Sequence, residues 1–437
     1  MKIEKIRKRD GLVKRFSIDK IISAISKALK ETGEGGDKEA KIVADLTYKK
    51  IIAMCVQSGS ADPDSPLAQK CKDGYPTVEE IQDLVEQSLM ESDYFATAKA
   101  YIIYRNERKK IRGRDIFHKR TELKPYEYPE LNEYVDAIRH SYWVHTEFNF
   151  TSDVQDFHIN VNDKEKSVIK NSMLAIAQIE VAVKTFWGDV YKKMPKPEIG
   201  AVGATFAESE VRHADAYSHL LEILGLNDEF KKIKDIPVIQ QRMDYLDKVI
   251  DLSRTAENRE YTQAVMLFSL FIEHVSLFSQ FLIMLSFNKH RNLFKGISNA
   301  VEATSKEEQI HGMFGIDIIN IIKQEHPEWF DQETKDTLEQ SCLNACKAEE
   351  AIVDWIYEAG DLDFVPKKEV KEFIKHRFNN SLEAVGLKRL FKTDEELLSK
   401  TDWFDNEIIA TKHVDFFHKR SINYNKRSSS ITSNDLF

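Results

Sequence analysis

The sequence predicts a mainly α-helical protein, a long helical bundle preceded by a small α+β module, and three observations predict it. Stretches without proline run over 165–193, 200–225, 240–288 and 296–324, with apolar residues at helical spacing, as in Val265, Leu267, Phe268, Phe271 and Ile272. Strand-like alternation is confined to the first residues, where IEKIRKRDGLVKRFS turns at Asp10-Gly11. Two Glu-x-x-His pairs, Glu210/His213 and Glu308/His311, stand 98 positions apart inside the helical stretches.

The elements follow in order. In residues 1–105 the hairpin leads to Ser17, placed to N-cap a helix whose apolar face is Ile18, Ile21, Ile22, Ile25 and Leu29. A second helix, around 38–57, ends in the polar stretch SGSADPDSP. Thr77 and Glu80 form a capping box for the helix carrying Ile81, Leu84, Val85 and Leu89, and ATAKAYIIYRNERKK supplies a fourth helix. Residues 106–130 are charged, contain Pro125 and Pro129, and read as a linker. Residues 131–420 form the helical domain, and 421–437 a polar tail, disordered on its own, that ends in Leu436 and Phe437.

Composition bounds the function. A chain of 437 residues with 42% apolar content supports two or three domains with a substantial core. The net charge of −9 argues against nucleic acid as a partner. Cys55, Cys71, Cys342 and Cys346 form no CxxC and no disulfide-like spacing, so buried thiols and a reducing compartment are expected. The start MKIEKIRKRDG is too charged for a signal peptide, and no apolar run is expected to approach a membrane span; a cytoplasmic protein follows.

The two pairs carry the chemistry. Residues i and i+3 share a helical face, so each pair aims a carboxylate and an imidazole at one spot. Each is preceded by a helix in which one acid interrupts an apolar face: Glu180 in NSMLAIAQIEVAVKTF and Glu273 in VMLFSLFIEHVSLFSQF. A bare carboxylate there is costly to bury, and a bound cation removes the cost. The set Glu180, Glu210, His213, Glu273, Glu308 and His311 matches the dinuclear carboxylate site of a ferritin-like bundle and neutralises two divalent ions of the Fe or Mn type. The competing reading is helix-surface charge with ordinary histidines. His274 points a quarter-turn from Glu273, and the pairs Glu372/His376 and Asp215/His219 read as solvated faces.

At this point the sequence resembles the radical-generating small (β) subunit of class I ribonucleotide reductase, over about residues 126–437. The resemblance rests on AESEVRHADAYSHL, EATSKEEQIH and DFFHKRSINY. It implies that the metal pair, with O₂ or a reduced oxygen species, creates an oxidant. That oxidant is passed to a cysteine of a large α subunit, where ribonucleotides are reduced. It further implies that Tyr217 is the radical tyrosine, that Trp143 begins radical transfer, and that Glu307 links Trp143 to the metal site. Tyr424 would relay the radical across the subunit interface, and Leu436 and Phe437 would dock the tail on α. Three positions depart from the common pattern. Glu180 replaces Asp, as in variants that use manganese; Glu307 replaces Asp; and His418 stands where many members have Glu. Mn/Mn is therefore favoured, with Fe/Fe and Mn/Fe open, and the oxidant resides on Tyr217 or on the metals.

The phrases KRDGLVKRFSIDKIISAI, TVEEIQDLVEQSLM and AKAYIIYRNER resemble the opening and closing halves of an ATP-cone, a regulatory nucleotide-binding domain. A Gly turn with adjacent Lys8 and Arg9 would bring backbone and cations to a triphosphate. Lys14 and Lys20 would add charge, and Thr77 and Arg105 are carried by motif position. The resemblance implies ATP and dATP as effectors, with Mg, acting on a homodimer that dATP drives into a higher, inactive oligomer. The alternatives are a ferritin-like metal store and a stand-alone di-metal oxidase, neither of which needs Tyr424, a terminal Leu-Phe or an allosteric cone.

Overall fold

The computed structural model describes residues 3–409 apart from 9–11, 61–69, 72–73, 113 and 182. The Asp10-Gly11 turn, Arg9, His418, Tyr424, Leu436 and Phe437 lie outside the described residues. The chain divides into two compact units at residue 113.

The N-terminal unit begins with an antiparallel pair, β1 (Lys5–Arg7) and β2 (Val13–Arg15), in the register Lys5↔Arg15, Ile6↔Lys14, Arg7↔Val13. Four helices follow: α1 (Ile18–Thr32), α2 (Asp37–Gly59), α3 (Val78–Glu91) and α4 (Phe95–Arg112). Their core gathers Ile6, Ile21, Ile25, Leu29, Val43, Ile51, Val85 and Leu89. Thr77 caps α3 through the Glu80 backbone N–H at 3.2 Å, and the Glu80 carboxylate accepts from the Thr77 N–H at 2.7 Å, completing the capping box. Ser17 occupies the N-cap position of α1 but makes no capping bond; its hydroxyl turns to Asp19 instead.

Two expectations are corrected in this unit and the next. Cys55 and Cys71 are disulfide-bonded, with Cα atoms 5.2 Å apart, and only Cys342 and Cys346 are free thiols. Spacing alone did not suggest the bond, because it depends on Cys71 being brought beside Cys55 of α2. The Cys71 N–H is held by the Glu80 carboxylate, and the Ser58 hydroxyl by the Lys70 carbonyl. The second correction concerns the boundary: α4 continues past residue 105. Residues 114–130 pack on the bundle, with Ile116 and Tyr128 fully buried and Arg120 paired with Glu198.

The C-terminal unit is helical throughout its regular structure. Its long helices are α5 (Pro129–His140), α6 (Asp163–Glu180), α7 (Pro197–Ile223), α8 (Pro237–Ser253), α9 (Asn258–Leu267), α10 (Phe278–Arg291), α11 (Lys295–Glu325), α12 (Gln332–Ile356) and α13 (Lys367–Ala384). Starts are set chemically: Asn162 and Glu165 form a capping box for α6, Asp331 caps α12, and Pro197 and Pro237 open α7 and α8. A π-helical segment, Phe268–Ser276, joins α9 to α10 and packs on α11. Gly203 and Gly315 let neighbours close in: a methyl at Gly203 would lie 2.6 Å from the Trp187 carbonyl oxygen, and one at Gly315 would fall on the Ser269 side chain.

The stretch Asn258–Arg291 is long and apolar enough, by length and composition, to cross a membrane, contrary to the expectation that no run would be. Of its most apolar window, 94% is buried inside the bundle, so its composition is that of a core helix.

Candidate metal centre

Four elements converge on one buried point. Glu180 ends α6, Glu210 and His213 lie mid-way along α7, Glu273 sits in the π segment, and Glu308 and His311 lie on α11. All six are at most 2% exposed. They form two overlapping groups, Glu180/Glu210/His213/Glu308 and Glu210/Glu273/Glu308/His311. The offered ligand atoms of each group lie within 4.8 Å of one another. Glu210 and Glu308 belong to both groups and would be shared between two ions.

The distances agree with that reading. His213 Nδ1 is 3.0 Å from Glu308, 3.4 Å from Glu210 and 4.0 Å from Glu180. His311 Nδ1 is 3.0 Å from Glu210, 3.4 Å from Glu308 and 3.5 Å from Glu273. These atoms approach without hydrogen-bond geometry: among the described residues, both oxygens of Glu180 and Glu210, one each of Glu273 and Glu308, and both Nδ1 atoms have no hydrogen-bond partner. So many inward-facing lone pairs left unsatisfied at one buried point is the donor set a metal pair requires. Four carboxylates and two neutral imidazoles balance two divalent ions.

The electrostatics of the protein alone show the same demand for positive charge. Burial pushes the Glu180 and Glu273 carboxyls well above the usual range. Burial also opposes charge on Glu308, yet His213 and His311 pull it below that range. Burial likewise works against protonating His213 and His311, but the carboxylates around them raise both well above the ordinary imidazole value.

Around this cluster the structure places Glu307, a residue the resemblance had pointed to, together with Arg212, Ser141, Trp187 and Ser209, which sequence reasoning did not identify. His213 Nε2 meets Glu307 at 2.8 Å, and Arg212 grips Glu307 at 3.2 Å through each terminal nitrogen. Ser141 adds a bond to Glu307 at 3.2 Å. Trp187 Nε1 donates to Glu273 at 3.1 Å, and Ser209 meets His311 Nε2 at 2.9 Å. Arg212 and Ser209 are neighbours of the first pair in sequence, but their partners lie on another helix, which spacing does not reveal. Trp187 follows Glu180 after a break in the helix and gives no sequence signal.

Tyr217 is 1% exposed on the His213 helix, and burial, followed by the Glu180 charge, keeps it a neutral phenol. Its hydroxyl faces Thr304 without a well-formed hydrogen bond. The Trp143 ring stacks on the His213 ring at 5.8 Å and 17°. Among the described residues its indole N–H has no hydrogen-bond partner, so the expected link from Glu307 does not run through that N–H. Glu307 reaches Trp143 by way of Arg212, which donates to the Trp143 carbonyl at 3.1 Å. His274 turns away from the cluster to Ser381 at 2.7 Å.

In the N-terminal unit, Lys14 and Lys20 are exposed and Lys8, just after β1, is half-buried. The Thr77 hydroxyl is engaged as the α3 cap, and Thr77 bridges Arg7 of β1. Arg105 is tied to Glu79, Asp83 and Glu86 at 2.7, 2.5 and 2.8 Å, which makes it a clamp between α4 and α3 with its guanidinium already occupied.

Residues 120–397 match the family model for the ribonucleotide reductase small chain, and residues 4–110 match that for the ATP cone domain. A probable ribonucleoside-diphosphate reductase small subunit of Invertebrate iridescent virus 3 is 24% identical over 331 residues, covering 71% of this chain and 85% of the relative. The ribonucleoside-diphosphate reductase subunit beta of Chlamydia pneumoniae is 22% identical over 245 residues, 54% of this chain and 69% of the relative. Among solved structures, a putative class I ribonucleotide reductase from Bacillus halodurans aligns with a TM-score of 0.59 at 15% identity, covering 64% of this chain and 99% of the other. The dimanganese(II)-NrdF of Streptococcus sanguinis aligns with a TM-score of 0.57 at 17% identity, covering 65% and 99%. These likenesses establish the helical fold.

Proposed function

The chain belongs to the ribonucleotide reductase small-chain family and carries an ATP-cone domain, and from that premise we propose that it is the radical-generating subunit of a ribonucleoside-diphosphate reductase controlled through its own cone. The observation that carries the proposal is the pair of overlapping ligand groups sharing Glu210 and Glu308. In this reading Glu180, Glu210, His213, Glu273, Glu308 and His311 hold two ions, with manganese favoured by Glu at position 180. When bound, the ions would supply, with O₂ or a reduced oxygen species as the oxidant, one-electron chemistry that side chains lack. The protein holds them in a closed, aromatic-walled interior and orients His213 through Glu307 and Arg212. Trp143, stacked on His213, is the exit for the oxidising equivalent, and Tyr424 in the tail relays it to a large subunit docked by Leu436 and Phe437. Tyr217 is the side chain placed to share the oxidant.

The domain assignment is a cone that runs to the end of α4, a radical-generating domain that begins with the segment after residue 113 and extends to about 420, and a docking tail over 421–437. Lys8, Arg9, Lys14 and Lys20 are the cations offered to ATP or dATP with Mg. ATP leaves a homodimer active in the cytoplasm, and dATP draws cones together into an oligomer that cannot dock. Allostery of this kind needs two states of different effector affinity, and assembly through the cone provides them.

The test is a reconstitution. The full chain, loaded with Mn(II) or Fe(II) and combined with a large subunit, is assayed for deoxyribonucleotide formation from ribonucleoside diphosphates. Product is expected with one metal loading, and no product under any loading would refute the proposal. Size measurements of the full chain are expected to show a larger species with dATP than with ATP; identical species would refute the regulatory part.

A further inference from the structure

The two Glu-x-x-His motifs are cross-strapped. The residue just before each of the two shared glutamates, Glu210 and Glu308, holds the imidazole of the other helix. Glu307, before Glu308 on α11, meets His213 of α7 at 2.8 Å; Ser209, before Glu210 on α7, meets His311 of α11 at 2.9 Å. The arrangement is reciprocal in position and unequal in chemistry, a carboxylate on one side and a hydroxyl on the other.

The Ser209 hydroxyl is fully buried, and its single proton is given to the Phe206 carbonyl at 2.8 Å. Towards His311 it therefore accepts, so the imidazole carries its proton on Nε2 and presents a bare Nδ1 to Glu210, Glu273 and Glu308. Among the described residues no other hydrogen bond reaches His311 Nε2. Aromatic rings flank His311, with Phe206 at 4.2 Å and Trp187 at 6.4 Å between ring centroids. His213, by contrast, has Glu307 backed by Arg212 and Ser141.

We propose that Ser209 is a positioning residue for the metal position formed by Glu210, Glu273, Glu308 and His311, fixing the tautomer and ring orientation of His311 by a hydrogen bond made across the helix pair. The proposal rests on the reading that the cluster holds two divalent ions. Outer partners of ligating histidines change metal affinity by roughly 10–100-fold when removed. The effect of Ser209 falls on one of the two positions, because Ser209 contacts only one of the two imidazoles among the described hydrogen bonds.

The experiment titrates the full chain with Mn(II) alone, without a large subunit, reading free Mn(II) by its EPR signal and metal-free folding by thermal melting. Wild type is expected to bind two ions. Ser209→Ala is expected to bind one as wild type and the other about 10–100-fold more weakly. Thr and Val at this position, alike in shape, separate the hydroxyl from packing: Ser209→Thr should recover the second ion and Ser209→Val should not. Adding Ser209→Ala to Glu180→Ala should weaken the ion that Glu180→Ala leaves, which assigns the effect to the His311 position. Wild-type affinity for both ions in Ser209→Ala, or equal behaviour of the Thr and Val variants, overturns the proposal while leaving the metal reading intact. Fewer than two ions bound by wild type overturns both.

Discussion

At the scale of single residues, the cluster sets binding against stability. Glu180 is a fully buried acid with both oxygens unpaired, so an apolar residue of similar volume relieves the metal-free protein while removing a ligand. Glu180→Leu is expected to stabilise the metal-free form by about 1–3 kcal/mol in denaturant titrations and to cut Mn(II) stoichiometry from two to one. Glu308→Ala, which removes a group shared by both ligand sets, should abolish both ions. A second buried acid, Glu349, lies apart from the ligands. Burial raises its proton affinity, and Arg242 and Ser276 only partly oppose that. With the folded value raised, its contribution to stability is complete below the unfolded glutamate range near about 4.3 and is lost as pH rises through the folded value. Glu349→Gln should flatten that part of the stability profile, as measured by urea midpoints from pH 4 to pH 8; an unchanged slope would show that another group controls it.

Among elements, legibility followed the range of the interaction. The pairs Glu210/His213 and Glu308/His311 were readable because i and i+3 share a face whatever surrounds them. Glu180 and Glu273 were readable because an acid in an apolar face demands a partner. Trp187, Ser209 and Arg212 were not, since their partners depend on how α7, α11 and the π segment cross. The Cys55–Cys71 bond was hidden for the same reason, and so was the clamp role of Arg105. Close approach of α7 to the segment carrying Trp187 depends on Gly203. Gly203→Ala should therefore cost about 1–3 kcal/mol and, by shifting Trp187 from Glu273, weaken Mn(II) binding. Thermal melting and Mn(II) titration of this variant check both effects; loss of stability with unaltered Mn(II) affinity would separate Trp187 from the site.

For the whole molecule, division into two compact units predicts two separable ligand responses. In calorimetry of the full chain, Mn(II) should raise one transition and dATP the other, each by about 2.7 kcal/mol at one hundred times its dissociation constant. A single transition raised equally by both ligands would mean that the units unfold as one. The broad class was legible at this scale because helical periodicity persists from residue 131 onward while strand alternation is confined to the first residues. The boundary was less so, since α4 runs on through charged residues that resemble a linker by composition.

The π segment that carries Glu273 makes the centre depend on the count of residues as well as on their identity. Five-apart hydrogen bonding over Phe268–Ser276 accommodates more residues per turn than an α-helix does. Deleting one residue there should let the backbone close into ordinary α-helix, a change of about 100° in the direction of Glu273. Circular dichroism should then report retained helix, while Mn(II) titration should show one ion where wild type holds two. A substitution scan, which never alters chain length, would not expose that dependence.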